Sequence, residues 1–338
     1  MSAKKVLAVS LVSLAGLIVV AAVAAIAIFL FPSRGGTEQN FPPPDGQQSI
    51  SPVANEALLS RSSGSSSFLY RKDLSGGAES RLTSAKGGIE SEASFSHDGK
   101  NVVYTFAASP DSKAEVWVIG ADGHNSRRIS GQDQDALHPV FSPDDSTVYY
   151  GVSSFTGNHS PIARPARHEW DLYAISIRSD TGAEVSPTQI THQSFYDLRS
   201  LDAVADGVKA GEVGLLISTT GYPIGDLIEQ FVIGEPGRTG IFQPHVPGQS
   251  SIGPSYGEAR FIHNGMDVLF LAATDTTGGT YDYNVYSMSD VTGSEIKQLT
   301  HLKGMTTDLR VVPDGRATFI NGGKVYALDI AKQSIEPL

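Results

Sequence analysis

Three histidines and six carboxylates recur along the chain, and their residue types suit the binding of cations. The histidines are His138, His192 and His301. The acids are Glu90, Glu92, Asp133, Asp135, Asp197 and Asp308. Imidazole and carboxylate groups hold divalent cations in proteins, and carboxylates also attract basic peptides. The set predicts either a metal site with the three histidines as ligands or an acidic docking surface. The plainer alternative is a series of polar surface links.

A second candidate is the long insertion Ser153–Trp170, which carries Arg164 and Arg167. It is longer than an ordinary hairpin loop, and long loops are often functional. It is also the one basic segment of an acidic region. These arginines either contact a partner or the membrane surface, or the insertion packs on the neighbouring part of the fold.

Several other chemistries are excluded by residue type. The chain has no cysteine, which excludes disulfides and thiolate catalysis. It has no Gly-x-Ser-x-Gly elbow, and His168-Glu-Trp-Asp-Leu lacks the second histidine of a zinc protease helix. With 36 acidic and 25 basic residues the net charge is −11, which disfavours nucleic acid as a partner. We therefore expect no catalytic residues and no cofactor other than a divalent cation.

The N-terminal segment predicts a single membrane span. Residues Val6 to Phe31 form an uncharged run long enough to cross a hydrocarbon core of about 30 Å, and Lys4 and Lys5 precede it. The positive-inside rule then places the N-terminus in the cytoplasm and the rest in a periplasmic or extracellular space. The alternative is a cleaved signal peptide ending near Ala25-Ile-Ala. Residues 1–31 are thus an anchor or a signal sequence.

The rest of the chain divides into a linker and one large domain. Residues 32–50 are rich in proline and glycine, which predicts a short stalk without a buried face. From 51 to 338, short β-branched and aromatic runs alternate with Gly, Asp, Asn and Pro clusters. This pattern is typical of many short strands joined by turns.

Self-similarity within residues 51–338 predicts the architecture. Units begin near residues 95, 141, 201, 261 and 311, and a truncated unit precedes them. A repeat of about 40–60 residues with strand-forming runs is typical of four-stranded propeller blades. We therefore expect an all-β fold, a six-bladed β-propeller following one transmembrane helix.

The repeats have a recognisable local chemistry. One unit reads Phe141-Ser-Pro-Asp-Asp, then Asp171-Leu-Tyr, then Gln189-Ile-Thr-His. Ser-Pro-Asp-Gly is a tight turn because proline presets φ and glycine accepts positive φ. Two positions depart from it, since His97 replaces the proline in one unit and Asp145 replaces the glycine in another.

These repeats resemble those of TolB-type propellers. Similar propellers occur in prolyl oligopeptidases, dipeptidyl peptidases and oligogalacturonate lyases. The resemblance covers about Ala57 to Leu338 and implies a fold more than a function. It also implies that links between blades cross one face near a central channel, which would gather the candidate residues there. The lyases use histidines at the channel mouth as metal ligands.

The sequence favours one function over another. We expect a non-catalytic, membrane-anchored propeller outside the cytoplasm that binds a protein or peptide, with a basic peptide favoured by the acidic domain. The alternative is a metal-dependent lyase or hydrolase acting on a glycan at the face that carries His138, His192 and His301.

Overall fold

The computed structural model describes most of the chain beyond the predicted linker. The described residues are 46–158, 165–178, 186–205, 213–221, 225–233, 239–242, 244–246, 255–262, 267–274, 281–289, 294–312 and 314–337. The chain separates into a large unit, residues 41–156 with 167–338, and a small unit, residues 1–40 with 157–166. Nearly all of the small unit lies outside the described residues, and so does the predicted span Val6 to Phe31.

Strands follow one another through the described residues, where no helix occurs. The first twelve strands are β1 Gly46–Ile50, β2 Glu56–Ser63, β3 Ser66–Asp73, β4 Glu79–Arg81, β5 Ile89–Phe95, β6 Asn101–Ala107, β7 Ala114–Gly120, β8 Arg127–Arg128, β9 Asp135–Phe141, β10 Thr147–Gly157, β11 Ala166–Ser176 and β12 Thr188–Gln189. The next twelve are β13 Ser200–Val204, β14 Gly214–Gly221, β15 Gly225–Val232, β16 Thr239–Phe242, β17 Tyr256–Ile262, β18 Asp267–Ala273, β19 Tyr283–Ser289, β20 Ser294–Gln298, β21 Thr306–Val311, β22 Ala317–Asn321, β23 Lys324–Asp329 and β24 Ser334–Pro337.

The strands pair in groups of four. Four sheets contain β9 to β12, β13 to β16, β17 to β20 and β21 to β24, each in sequential order. An eight-stranded sheet contains β1 to β8. Its two halves, β1 to β4 and β5 to β8, are each built from antiparallel pairs and meet at the parallel bridge between Ser67 and Ile89. The predicted all-β fold is confirmed, and the order within each sheet is that of a propeller blade.

Tight turns join the first two strands of a sheet where the repeats predict them. Between β5 and β6, the Ser96 hydroxyl accepts the Asn101 N–H (2.9 Å) and donates to Asp98 (2.8 Å). Gly99 follows with φ 69°, a left-handed conformation that glycine adopts without steric cost. In the next sheet Asp145 occupies the same position with φ 58°. The turn is therefore kept where the sequence departs from glycine.

Some units end in Leu-Thr or Ile-Thr, and the threonine closes the outer strand by bonding to the strand beside it. The buried Thr300 hydroxyl accepts the Val285 N–H (2.9 Å) and donates to the Asn284 carboxamide (2.9 Å). Thr191 makes the same two bonds to Leu172 and Asp171. These residues recur in the sequence because each threonine satisfies a main-chain donor that the short outer strand leaves unpaired.

The core consists of apolar layers between successive sheets. In β6, Val102 and Tyr104 pack toward Leu58 and Leu69, whereas Val103 packs on the opposite face toward Phe141. Alternate residues of a strand point to opposite faces, so the second strand of a sheet is buried on both sides. Similar layers join each later sheet to the next. This packing fixes how the first strands lie beside one another.

The N-terminal boundary differs from the prediction. Strand β1 begins at Gly46, inside the predicted linker 32–50, and pairs with β2 from Gly46–Ser60 to Ile50–Ala57. The sheet therefore starts within the stalk segment, because main-chain pairing needs no apolar side chain. No helix long and apolar enough to cross a membrane is found among the described residues.

Candidate functional site

Four of the first strands, β5, β9, β17 and β21, share a break in register that shapes the candidate site. The register of β5, β9 and β21 against their neighbours shifts at Glu92, His138 and Asp308. All three have left-handed φ, 50°, 55° and 54°. A non-glycine residue in this region costs about 1 kcal/mol, and repetition at equivalent positions marks the bulges as built features. In β17 the shift falls at Gly257 and Glu258.

Glu92 and His138 are brought together by two of these bulges. The carboxylate of Glu92 accepts the His138 N–H (2.7 Å), and its other oxygen lies 3.0 Å from His138 Nδ1. Burial alone would raise the pKa of the Glu92 carboxyl, but His138 and, more weakly, Arg310 outweigh it and lower that pKa. Trp170 covers the imidazole, with ring centroids 5.7 Å apart. The predicted acid and histidine therefore form a pair that joins two sheets.

A second linked group lies on the later first strands. The Glu258 carboxylate accepts the Asp308 N–H (2.7 Å) and the Leu309 N–H (3.1 Å) of the next sheet. Arg260 pairs with Glu258 (3.1 Å) and Arg310 with Asp308 (2.8 Å). The bulges of β9 and β21 are thus each held by a carboxylate from the preceding first strand.

Electrostatic coupling makes these residues one group. We define the first-strand cluster as Glu92, His138, Asp202, Glu258, Arg260, Asp308 and Arg310. Burial raises the pKa of Glu258, reinforced by Asp308 and opposed by Arg260. Burial also raises the pKa of Asp202, whose carboxylate accepts the Phe261 N–H (2.8 Å). Burial would lower the pKa of Arg310, but Asp308, Glu258 and Glu92 raise it.

The first-strand cluster has more acidic than basic side chains. Its four carboxylates face two guanidiniums and one imidazole. Each carboxylate accepts a main-chain N–H or a charged donor, so the side chains are fixed before any ligand arrives. Because burial raises the pKa of Glu258 and of Asp202, a positive charge nearby would stabilise the ionised form of each carboxyl. The arrangement can therefore accept a cationic group.

Three of the other predicted residues act inside the fold. Glu90 is fully buried, and its carboxylate accepts the Leu69 N–H (2.9 Å) and the Thr83 hydroxyl (2.6 Å). Asp135 is buried and pairs with Arg167 at 2.7 Å, so an acid and a base predicted for partner binding contact each other. Glu90 and Asp135 lie at the start of first strands, where they fasten one group of strands to the preceding one, and Arg167 lies at the start of β11.

The remaining predicted residues lie on links between sheets. Asp197 pairs with Arg199 (2.9 Å) and accepts the Thr220 N–H (2.6 Å). Asp133, His192 and His301 are exposed. Arg164 lies outside the described residues. Within those residues, no group of three or more His, Asp or Glu side chains could hold a metal ion, so the three predicted histidine ligands do not fit one.

Four members of the first-strand cluster were missed by the sequence analysis, and three of them carried a detectable signal. Acid-x-Arg occurs five times, and the pairs at Asp197-Leu-Arg199, Glu258-Ala-Arg260, Asp308-Leu-Arg310 and Asp314-Gly-Arg316 form salt bridges, whereas Glu79 of Glu79-Ser-Arg81 pairs with Arg61. Residues two apart on a strand share a face, so such spacing predicts a pair. Asp202 carried no comparable signal.

Comparison with solved structures supports the fold. A structure assigned as TolB from Agrobacterium tumefaciens has a TM-score of 0.56 and 17% identity, with 83% of this chain and 91% of that chain covered. An oligogalacturonate lyase in complex with manganese has a TM-score of 0.55 and 13% identity, covering 86% and 75%. No protein-family model matches the chain.

A third structure belongs to the peptidase group that the repeats resemble. A prolyl endopeptidase has a TM-score of 0.50 and 16% identity, with 94% of this chain and 53% of that chain covered. The resemblance to TolB-type propellers is thus confirmed for the fold. Identities this low say nothing of a shared activity.

Proposed function

We propose that this chain is a membrane-anchored, extracytoplasmic, six-bladed β-propeller that binds a protein or peptide without catalysing a reaction. The partner presents a basic group to the face on which the first strands and their links converge. The first-strand cluster is the observation that carries this proposal. Its four carboxylates exceed its two guanidiniums, and hydrogen bonds between sheets hold it in place.

The blade count rests on the grouping of strands. Four sheets have four strands, and the eight-stranded sheet consists of two such groups joined at one parallel bridge between Ser67 and Ile89. Six groups of four are therefore the simplest division. The TolB structure of similar fold supports a protein-binding role only by analogy.

The placement outside the cytoplasm rests on the sequence. The uncharged run Val6 to Phe31, preceded by Lys4 and Lys5, supports an N-terminal span with the large unit on the far side. A protease added to intact cells or spheroplasts tests this directly. Digestion of the large unit with protection of an N-terminal tag supports the proposal, and protection of both ends contradicts it.

A position-specific crosslink tests the binding surface. A photoreactive amino acid replaces exposed His301 on the link before β21, and in the control it replaces exposed Ile335 on the outer strand β24. We expect a covalent adduct from position 301 and none from position 335 in native cells. An oligolysine peptide should suppress the adduct because it competes for the acidic cluster.

A charge variant adds a second readout to that experiment. Asp308→Asn removes one carboxylate and keeps a residue that tolerates positive φ. The crosslink at position 301 should weaken in this variant while the fold is retained. Equal adducts at 301 and 335, or an adduct insensitive to both oligolysine and Asp308→Asn, would contradict the proposal.

A metal-dependent lyase or hydrolase remains the second candidate, favoured by the manganese-bound lyase of similar fold. The described residues do not bring His138, His192 and His301 together as ligands. Elemental analysis of the full-length chain purified without chelator decides between the candidates. A stoichiometric transition metal that is lost in the triple alanine variant of these histidines would favour the enzyme.

A further inference from the structure

A polar cleft lies away from the first-strand cluster, between the sheet half β5 to β8 and the sheet β9 to β12. Its volume is about 220 Å³, enough for a side-chain-sized group. Its polar lining is Asp98, Asn101, Asn125, Arg127, Asp145 and Arg178. The apolar part of the wall comes from Val118, Ile119 and Ile177. The cleft is formed by ends of β6, β7 and β8 together with turn residues, and it contains none of the bulged first strands.

Two arginines at this cleft form no salt bridge, unlike most of the arginines that the structure describes. Among the eleven arginines that the structure describes, eight form a salt bridge with a carboxylate. Arg127 and Arg178 are two of the three that do not. Each donates once to a main-chain carbonyl, Arg127 to Ile177 (3.1 Å) and Arg178 to Asp144 (2.6 Å). A guanidinium has five N–H donors, so most of theirs remain for a ligand.

The carboxylates of the cleft are already engaged by the turns. Asp145 accepts the N–H groups of His97 and Asp98, both at 2.9 Å, and lies 2.8 Å from His97 Nδ1. Asp98 accepts the Ser96 hydroxyl and the Lys100 N–H and ammonium groups. Lys100 pairs with Asp98 and His97 lies beside Asp145, and neither carboxylate forms a salt bridge with Arg127 or Arg178.

The cleft also offers neutral hydrogen-bonding groups. The carboxamides of Asn101 and Asn125 have no hydrogen-bond partner among the residues the structure describes. A carboxamide can donate to an oxyanion while a guanidinium binds it in a bidentate manner. In a chain of net charge −11, two unpaired arginines beside two free amides form a local site for an anion.

We infer that this cleft binds a side-chain-sized oxyanion, a carboxylate or a phosphate, held between Arg127 and Arg178 with Asn101 and Asn125 as further donors. The site is separate from the proposed cationic-partner surface and does not depend on it. Because recognition is ionic, binding weakens as the salt concentration rises. Carboxylate and phosphate share this chemistry, and the probes below distinguish them.

Isothermal titration of the full-length chain, kept soluble in a nonionic detergent, tests the inference with inorganic phosphate and with succinate. We expect saturable binding of at least one probe, and the tighter probe identifies the class of ligand. The Arg127→Gln/Arg178→Gln variant keeps an N–H donor for each carbonyl but loses the charge, and its affinity should fall roughly tenfold or more. The control Arg61→Gln removes an exposed arginine paired with Glu79 and should leave affinity unchanged.

A milder variant tests the inference even if the double arginine variant does not fold. Asn125→Asp changes the charge of one group that lines the cleft, and aspartate also tolerates the φ of 59° found there. It should weaken binding of the same probe by repulsion while thermal unfolding stays as in the wild type. Failure of both probes to bind the wild type, or affinity unchanged in the double arginine variant, overturns the inference.

Discussion

His97 Nδ1 lies 2.8 Å from the carboxylate of Asp145, and each of these residues replaces a standard residue of the Ser-Pro-Asp-Gly turn. The carboxylate also accepts the N–H of His97, a donor that proline would lack, and the N–H of Asp98. The two departures are therefore complementary. They tie the turn of one sheet to the turn of the next, across 48 residues of sequence.

Restoring glycine at position 145 should destabilise the protein. Asp145→Gly relieves the cost of the left-handed φ of 58° but removes the acceptor for two N–H groups and an imidazole. We expect a net loss of about 1 to 3 kcal/mol in the free energy of unfolding, measured with denaturant. Asp145→Asn keeps one acceptor oxygen and should lose less. A glycine variant as stable as the wild type would show that the link contributes nothing.

Because of the Glu92–His138 pair, we expect the protein to lose stability in acid. The pKa of Glu92 is lowered in the folded state from its ordinary value of 4.5, so the unfolded state binds protons first as the pH falls. The contribution of the Glu92 carboxylate to the free energy of unfolding is complete above about pH 4.5. It disappears as the pH falls through the pKa of the folded state. Glu92→Gln should be less stable than the wild type at pH 7, and the difference should shrink in acid. Unfolding at a series of pH values measures this, with exposed Glu336→Gln as the control. A difference that is constant from pH 7 into acid would contradict the assignment.

Glu229 should give the stability of the protein the opposite dependence on pH. The residue is 5% exposed, its carboxyl group makes no hydrogen bond among the described residues, and burial raises the pKa of that group to about 7. The folded state therefore holds a proton that the unfolded state releases near pH 4.5, so stability falls as the pH rises from about 4.5 to 7. A shift of this size corresponds to roughly 3 kcal/mol. Glu229→Gln should match the wild type near pH 4 and exceed its stability at pH 8. Equal unfolding free energies at pH 8 would show that the carboxyl is solvated.

Local features of the fold were predictable because they depend on neighbouring residues. The turn at Ser96–Gly99 and the closing bond of Thr191 follow from residues within one unit. The start of β1 at Gly46 was not predictable from side-chain pattern, because a first strand needs only main-chain pairing. The unit that begins near residue 201 forms a sheet in which β14 and β15 supply the apolar faces.

Three of the residues singled out by the sequence belong to the first-strand cluster, but their pairing was not predictable. Glu92, His138 and Asp308 were expected on one face, and the structure brings Glu92 and His138 together and couples Glu92 to Arg310. Contacts such as Glu258 with Asp308 join residues 50 apart in sequence. Such pairing depends on how one sheet is rotated against the next, which no single repeat encodes.

The threonines that close the outer strands should contribute equally to the free energy of unfolding in each sheet. Thr300→Val keeps the shape of the side chain but leaves the Val285 N–H and the Asn284 carboxamide without their partner, in a site that is 2% exposed. We expect a loss of about 1 to 3 kcal/mol in the free energy of unfolding. Thr191→Val should lose a similar amount because it breaks the same two bonds in another sheet. Exposed Thr188→Val on β12 serves as the control and should change stability little. A loss at Thr300 that is no larger than at Thr188 would mean that the threonines recur for a reason other than closing the outer strands.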